Sequence, residues 1–252
     1  MFDDDDAAAV YDLLNPWDGA RFACDAFYDA MVAQAASVLD VGCGTGNMLC
    51  QARRAGHRGR LVGLDPNPAA LARAARKLAA AGLPADIEWV LGVAADAGRW
   101  EREFELATMV SHTFQLLVTD DDLYASLTAI RTALVPGGRF VFETRHPQAR
   151  EWEEWTPDDP SDVDDEHGRM FRVVYQTEDV SGDVVTFTET TIDWDPGDVL
   201  REDRFRLRFL DVPDLDRFLT ACGFEVQDRY GDWHRGPLTS SSREIITVAR
   251  RR

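Results

Sequence analysis

The stretch that decides the fold is Asp40-Val41-Gly42-Cys43-Gly44-Thr45-Gly46. It closes a short apolar run from position 37 that is typical of a buried β-strand, and helix-forming residues follow from Asn47. Glycines at a strand-to-helix turn permit a tight backbone path and let a ligand approach the amide donors of the helix N-terminus. The sequence therefore predicts a ligand-binding loop here, and a glycine-rich turn without a ligand is the less favoured alternative.

The spacing of this loop disfavours two common phosphate sites. The dinucleotide fingerprint G-x-G-x-x-G requires a third glycine where this chain has Asn47. A P-loop requires a lysine directly after its last glycine, and the chain's one lysine is Lys77. Asp40 at the strand end would repel a pyrophosphate, but its charge suits the ammonium of an amino-acid moiety.

Outward from the loop, apolar strands alternate with helices that carry one apolar stripe. Strands are predicted over 61–65, 87–94 and 105–110, and a helix over 121–134. Pro136-Gly137-Gly138 is expected to turn the chain into a fifth strand over 139–143. Nearly all-apolar strands alternating with helices predict an α/β fold with a Rossmann-like, doubly wound sheet, which binds ligands at the carboxyl ends of its strands.

Residues 147–210 follow a different rhythm. Segments 171–175, 184–192 and 205–209 alternate apolar and polar residues with period two, which predicts an inserted antiparallel β meander. The acidic run from Asp158 to Glu166 is expected on a solvated loop. The predicted organisation is an N-terminal helical lid over 1–36, a ligand-binding core over 37–146, the insert over 147–210 above the active site, and a C-terminal helix with closing strands over 211–252.

Two further acids follow strands next to the glycine loop. Asp65, followed by Pro66, ends the second strand, where a carboxylate can accept both hydroxyls of a ribose. Asp96, preceded by Ala95, follows the third strand and can accept a hydrogen bond from an adenine amino group. A helix-capping or surface role is the alternative for Asp65, and a structural role is a stronger alternative for Asp96.

These motifs together resemble those of class I S-adenosylmethionine-dependent methyltransferases, in the family's order and over residues 37–146. The resemblance implies a seven-stranded sheet with one reversed strand and S-adenosylmethionine as cofactor, with S-adenosylhomocysteine as product. It places Gly42, Gly44 and Gly46 under the methionine part of the cofactor, Asp65 at the ribose and Asp96 at the adenine. The motifs that carry it are Val38-Leu39-Asp40-Val41-Gly42-Cys43-Gly44-Thr45-Gly46, Gly63-Leu64-Asp65, Ala95-Asp96 and Leu134-Val135-Pro136-Gly137-Gly138.

The insert resembles, in architecture only, the antiparallel insert of small-molecule methyltransferases such as sugar N,N-dimethyltransferases and glycine N-methyltransferase-like enzymes. In those enzymes the insert roofs the substrate pocket and often helps to build a dimer. The resemblance therefore implies a small-molecule acceptor, and it makes a homodimer one expectation for this chain.

Residues near the chemistry are expected after the fourth strand and in the N-terminal segment. Ser111 and His112 follow the fourth strand, and His112 is the candidate general base; a capping or backbone-bonding histidine is equally compatible with the sequence. Tyr11 and Trp17 are candidates to close over the cofactor, because aromatic rings attract a sulfonium. Packing against the sheet is the alternative for both. For Arg145, near the end of the fifth strand, a salt bridge with a neighbouring acid is favoured over binding of a substrate carboxylate.

Composition narrows the class of partner. The 252 residues carry a formal net charge of −18, which disfavours nucleic acid and anionic lipid as partners. No apolar stretch approaches the ~20 residues of a membrane span, and the acidic N-terminus is unlike a secretory signal, so we expect a cytoplasmic protein. The four cysteines lack the paired spacing of a zinc site, so no metal is expected.

The leading hypothesis is transfer of a methyl group from S-adenosylmethionine to an N or O atom of a small metabolite. The first alternative is a non-catalytic protein that binds S-adenosylmethionine or S-adenosylhomocysteine, since the loop and both acids fit it equally well. A nicotinamide-dependent oxidoreductase is a third hypothesis, disfavoured by Asn47 in place of glycine.

Overall fold

The structure is a computed structural model that describes residues 2–165 and 167–252. Its helices are α1 (Asp4–Leu14), α2 (Ala23–Val32), α3 (Asn47–Arg54), α4 (Pro68–Ala80), α5 (Asp120–Ala133) and α6 (Val212–Ala221). Its strands are β1 (Ser37–Val41), β2 (Arg60–Asp65), β3 (Ile87–Leu91), β4 (Phe104–Met109), β5 (Leu134–Arg145), β6 (Ser161–Asp164), β7 (Met170–Ser181), β8 (Val184–Asp193), β9 (Val199–Arg208), β10 (Phe224–Tyr230) and β11 (Glu244–Arg251).

The larger sheet has seven strands in the order β10-β11-β5-β4-β1-β2-β3. Strands β1 to β5 pair in parallel, whereas β11 is antiparallel to both β5 and β10. The predicted doubly wound, seven-stranded sheet with one reversed strand is therefore confirmed. The strand order reverses between β1 and β4, and open α/β sheets bind ligands at such a point, beyond the carboxyl ends of the strands.

Helices cover both faces of this sheet because each presents one apolar stripe to it. On one face, Leu127 of α5 and Phe218 of α6 are fully buried in one core cluster with strand residues such as Phe140. On the other face, Tyr28 of α2 and Leu49 of α3 are fully buried in a second cluster. The sheet is thus a rigid support for the loops at its carboxyl edge.

Strand β5 corrects a sequence-based boundary. It begins at Leu134, so Pro136-Gly137-Gly138 lies inside the strand and not before it. The physical reason is a register shift: Leu134 pairs with Phe104, and regular pairing with β4 resumes only at Arg139, opposite Leu106. The extra residues form an irregularity that a turn-forming sequence accommodates.

The insert is a separate antiparallel sheet in the order β6-β7-β8-β9, so the predicted meander is confirmed with one more strand than expected. Part of the acidic run predicted as loop forms β6, whereas Glu166 lies outside the described residues. Arg172 of β7 explains the difference, because its guanidinium donates two hydrogen bonds, of 2.7 and 2.8 Å, to the carboxylate of Asp162. A cross-strand ion pair offsets the low strand propensity of an acidic residue.

Across residues 2–165 and 167–252, no helix has both the length and the apolar character needed to cross a membrane. Within the same residues no cluster of three or more histidine, cysteine or acidic side chains is arranged to hold a metal ion.

Candidate active site

The glycine loop is anchored to the end of β2 by its own backbone. The N–H groups of Gly42 and Cys43 donate to the carbonyl of Leu64 at 2.7 and 3.2 Å, and the N–H of Gly44 donates to Oδ2 of Asp65 at 2.7 Å. This packing requires a path that only glycine follows readily, since Gly44 and Gly46 have φ of +51° and +71°.

The glycines differ in what surrounds them. A Cβ at Gly46 would lie 2.4 Å from the indole of Trp89, so this glycine is required by packing. A Cβ at Gly44 would meet no atom within 4 Å. The backbone therefore presents its open side at Gly44, where a ligand can approach it closely.

Asp40 is a buried carboxylate beside this open side. It is 3% exposed, and the hydroxyl of Thr108 donates to its Oδ1 at 2.9 Å. Burial raises the pKa of Asp40 to about 7, and the neighbouring carboxylates of Asp65 and Glu143 add to the rise. A cation bound next to Asp40 would favour its ionised form, which is what the ammonium of a methionine moiety would provide.

Asp65 accepts two backbone hydrogen bonds, from Gly44 and, at 2.8 Å, from Asn67. Burial raises the pKa of Asp65, and these two hydrogen bonds oppose the rise. The carboxylate therefore shapes the glycine loop, a role that the sequence did not suggest. Each oxygen keeps a second acceptor site, so this role is compatible with ribose binding. Pro66, next to it, is exposed.

Asp96 and Ala95 lie in the short 3₁₀ helix Ala94–Arg99 that follows β3. Oδ2 of Asp96 accepts the N–H of Val93 at 2.8 Å and so closes its own turn, while its Oδ1 lies 4.0 Å from the guanidinium of Arg99. The carboxylate is 44% exposed and Ala95 is exposed. The structural role weighed for Asp96 is thus present, and its assignment to an adenine remains a prediction.

One cavity brings most of the predicted site residues together at the carboxyl edge of the sheet. Trp17 and Tyr11 both line this cavity. The indole N–H of Trp17 donates a hydrogen bond to Asp29 at 3.1 Å. Tyr11 is 41% exposed. Desolvation of its hydroxyl raises the pKa of Tyr11, and a hydrogen bond with Ser111 opposes the rise. The lining residues are Tyr11, Asn15, Trp17, Asp40, Gly42, Cys43, Gly44, Thr45, Asn47, Met48, Val110 and Ser111.

His112 belongs to a polar network next to this cavity. Its Nε2 lies 3.0 Å from both carboxylate oxygens of Glu244, the first residue of β11. It occupies the N-cap position of the single-turn helix that follows, but its side chain makes no cap hydrogen bond. Ser111 and His112 both have left-handed backbone angles, with φ of +56° and +60°. Such strain in two successive non-glycine residues persists only where surrounding contacts fix it, and it is concentrated at functional sites.

Glu143 of β5 supplies one of those contacts. It is 2% exposed, and its Oε1 accepts the backbone N–H of His112 at 2.9 Å. Its other oxygen accepts the hydroxyl of Tyr28. Burial raises the pKa of Glu143, and His112 and Tyr28 oppose the rise. Glu143 thus holds the strained loop against the fifth strand.

Sequence reasoning missed Glu244 and Tyr28 as site residues. Tyr28 reads as one apolar position of an amphipathic helix, so no local signal marks it. Glu244 does carry a weak signal, because it is a charged residue at the start of an apolar strand. Only the pairing of Glu244 with Arg145 in the sheet shows that it reaches the same edge as His112.

Arg145 is not free to bind a substrate carboxylate, because its Nε donates to Glu151 at 2.8 Å and its guanidinium lies 5.2 Å from the ring centroid of Trp155. The salt bridge weighed for it in the sequence is therefore what the structure shows.

The residues at this edge of the sheet fit S-adenosylmethionine. The backbone is open at Gly44, the buried carboxylate of Asp40 suits an ammonium, and the carboxylate of Asp65 suits the hydroxyls of a ribose. Residues 38–138 match a family model described as a methyltransferase domain. This match covers about two fifths of the chain. The match agrees with the expected class, that of the S-adenosylmethionine-dependent methyltransferases.

Individual proteins extend the likeness beyond residues 38–138. A 2-phytyl-1,4-naphtoquinone methyltransferase of Thermosynechococcus vestitus is 32% identical over 156 residues, which are 59% of this chain and 65% of the relative's length. An S-adenosylmethionine-dependent methyltransferase of Clostridium acetobutylicum superposes with a TM-score of 0.75 at 18% identity, over 97% of each chain. CalS10, an amino pentose methyltransferase of Micromonospora echinaspora solved with S-adenosylmethionine bound, has a TM-score of 0.65 at 24% identity, over 98% of this chain and 96% of its own.

Proposed function

We propose that this protein transfers a methyl group from S-adenosylmethionine to a nitrogen atom, or less favourably an oxygen atom, of a small molecule. The observation that carries the proposal is the group formed by His112, Glu244 and Glu143, which adjoins the cavity beside the glycine loop. The bound cofactor supplies a methyl group already activated on a sulfonium. The chain's own residues then have to align the acceptor and take its proton.

His112 is suited to take that proton. Since Nε2 faces the carboxylate of Glu244, the expected tautomer carries its hydrogen on Nε2 and leaves the lone pair on Nδ1. Nδ1 is then the base, and Glu244 stabilises the imidazolium that forms. This division of labour is the general logic of a histidine oriented by an acid.

The charge near His112 favours an amine over a phenol or a carboxylate as acceptor. Glu143 and Glu244 place two carboxylates beside the imidazole, which attract an ammonium and repel a phenolate. Arg145 is held by Glu151 and Gln115 and does not offset them. The likeness to an amino pentose methyltransferase supports the same acceptor class.

The test is a methylation assay with purified protein, S-adenosylmethionine and matched panels of small amines, phenols and carboxylates, read by mass spectrometry. Methylated amines with stoichiometric S-adenosylhomocysteine are the expected result. Products confined to phenols or carboxylates would overturn the amine assignment. Cofactor binding by calorimetry without turnover on any panel would favour the non-catalytic binding protein instead. Light scattering of the same sample tests the expected homodimer.

A further inference from the structure

Helix α1 carries an acid that its own helix does not favour. Asp12 lies in the last turn of α1, where the helix dipole favours basic side chains. Its carboxylate is nevertheless only 12% exposed. The contacts that favour an acid here lie outside the helix.

Asp12 joins three separate parts of the chain. From the glycine loop and the start of α3, the hydroxyl of Thr45 and the amide of Asn47 (3.2 Å) donate to Oδ1. From α4, the Nε of Arg73 donates to Oδ2, and the Nζ of Lys77 lies 3.0 and 3.1 Å from the two oxygens. Lys77 also donates to Oδ1 of Asn47, which closes the network.

The electrostatics show that Asp12 is bound in its ionised form. Burial alone would raise the pKa of Asp12, but the hydrogen bonds from Thr45 and Arg73 and the charge of Lys77 bring it below its ordinary value. Each of these contacts is a charge-assisted hydrogen bond, the stronger kind.

The contacts of Asp12 lie at the cavity itself. Thr45 and Asn47 line the cavity, and so does Tyr11, the residue before Asp12. A carboxylate that fixes the loop and the helix together therefore fixes the distance between Tyr11 and the open side of the glycine loop.

We propose that Asp12 is a positioning residue that locks helix α1 onto the glycine loop and so slows the release of bound S-adenosylmethionine or S-adenosylhomocysteine. The inference rests on the proposed function, since it assigns a regulator of residence time to the same cofactor site. Asp12 itself is not among the residues that line the cavity, and its carboxylate contacts Arg73 and Lys77.

The chain offers a matched control on the same two helices. Asp5 of α1 forms an ion pair with Arg76 of α4, and both side chains are more than half exposed. This ion pair does not involve the glycine loop. Asp5→Asn therefore removes an α1–α4 ion pair and leaves the Asp12 network intact.

The experiment measures the affinity for S-adenosylhomocysteine by calorimetry and its dissociation rate by stopped-flow fluorescence. For Asp12→Asn we expect the Kd to rise about tenfold or more, mainly through faster dissociation, as the loss of charge-assisted hydrogen bonds predicts. For Asp5→Asn we expect a change of less than about twofold.

A second variant separates positioning from stability. Asp12→Asn leaves two cations without their acid, so it is expected to lower the Tm as well. Adding Lys77→Met to Asp12→Asn removes one of those cations and should recover part of the Tm but none of the affinity. Recovery of the wild-type Kd together with the Tm would overturn the positioning role.

Thr45→Val gives an independent test should Asp12→Asn fail to fold. It removes only the hydroxyl that donates to Asp12, and we expect the dissociation rate to rise about threefold to tenfold. An unchanged rate would overturn the inference. A wild-type protein that binds neither S-adenosylmethionine nor S-adenosylhomocysteine would instead refute the proposed function itself, so the two failures are distinguishable.

Discussion

The two halves of the candidate site are built differently. In the proposed cofactor half, the decisive residues lie within a few positions of one another in sequence, from Asp40 to Asn47, and backbone N–H groups hold the glycine loop in place. In the acceptor half, Tyr28, His112, Glu143 and Glu244 come from four elements spread over more than two hundred positions. Local sequence thus fixes the first half, whereas only the assembled sheet creates the second.

The difference predicts which substitutions each half tolerates. Backbone-built sites depend on shape, so they should fail when a side chain is added. Sites built from side chains depend on particular functional groups. Removing one such group should therefore lower activity while the shape of the site is kept. Four substitutions test this contrast.

Gly46→Ala should damage the cofactor half most. Its Cβ would collide with Trp89 in a left-handed backbone conformation, and we expect a loss of stability of about 3 kcal/mol. Gly44→Ala is the matched control, since its Cβ meets no atom and only about 1 kcal/mol of backbone strain is expected. Calorimetric unfolding measures both. Equal losses at the two positions would show that packing against Trp89 does not set the loop.

Asp65→Ala should weaken S-adenosylhomocysteine binding about 100-fold, because it removes the acceptor that holds Gly44 as well as the proposed ribose contact. Asp96→Ala should weaken binding by less than about tenfold, since its carboxylate closes its own turn. Titration calorimetry compares the two. A larger loss for Asp96→Ala would reverse the ranking of the two acids.

Asp40→Asn should stabilise the ligand-free protein in a pH-dependent manner. The folded-state pKa of about 7 exceeds that of the unfolded chain, so the wild type loses stability as the pH rises from about 4 to about 7. Between pH 5.5 and pH 8.5 the advantage of the asparagine variant should grow by about 2 kcal/mol, which is several degrees in Tm. A constant difference in Tm across this range would show that Asp40 titrates normally. Cofactor affinity should fall in the same variant.

Glu244→Gln should change the acceptor half alone. We expect kcat to fall about tenfold, because the imidazolium of His112 loses its stabilising charge, while the Kd for S-adenosylhomocysteine stays unchanged. His112→Ala should cost at least as much, and the double variant should cost little more than His112→Ala, as expected when one residue acts through the other. Fully additive losses would mean that Glu244 acts independently of His112.

The features that the sequence predicted and those that it did not are divided in the same way, between local signals and tertiary contacts. The glycine loop, the alternating strands and helices around it and the place of Asp65 at a strand end were accessible because their signals are local: spacing and periodicity. Asp12 and Glu244 were not, because their partners lie more than thirty positions away and only tertiary contact reveals them. Strand β6 was missed for a related reason, since the arginine that makes an acidic segment extend lies in the next strand.

The reversed direction of β11 has a consequence for how this fold can vary. In parallel strands, a residue reaches the ligand edge only as the chain leaves the sheet. Strand β11 runs the other way, so Glu244 reaches that edge as the chain enters the sheet, straight from the segment that follows β10. Insertions in that segment could therefore reshape the rim near His112 while the glycine loop stays in place. Under the proposed function, the methyl donor and the acceptor would be held by separately adjustable parts of one scaffold.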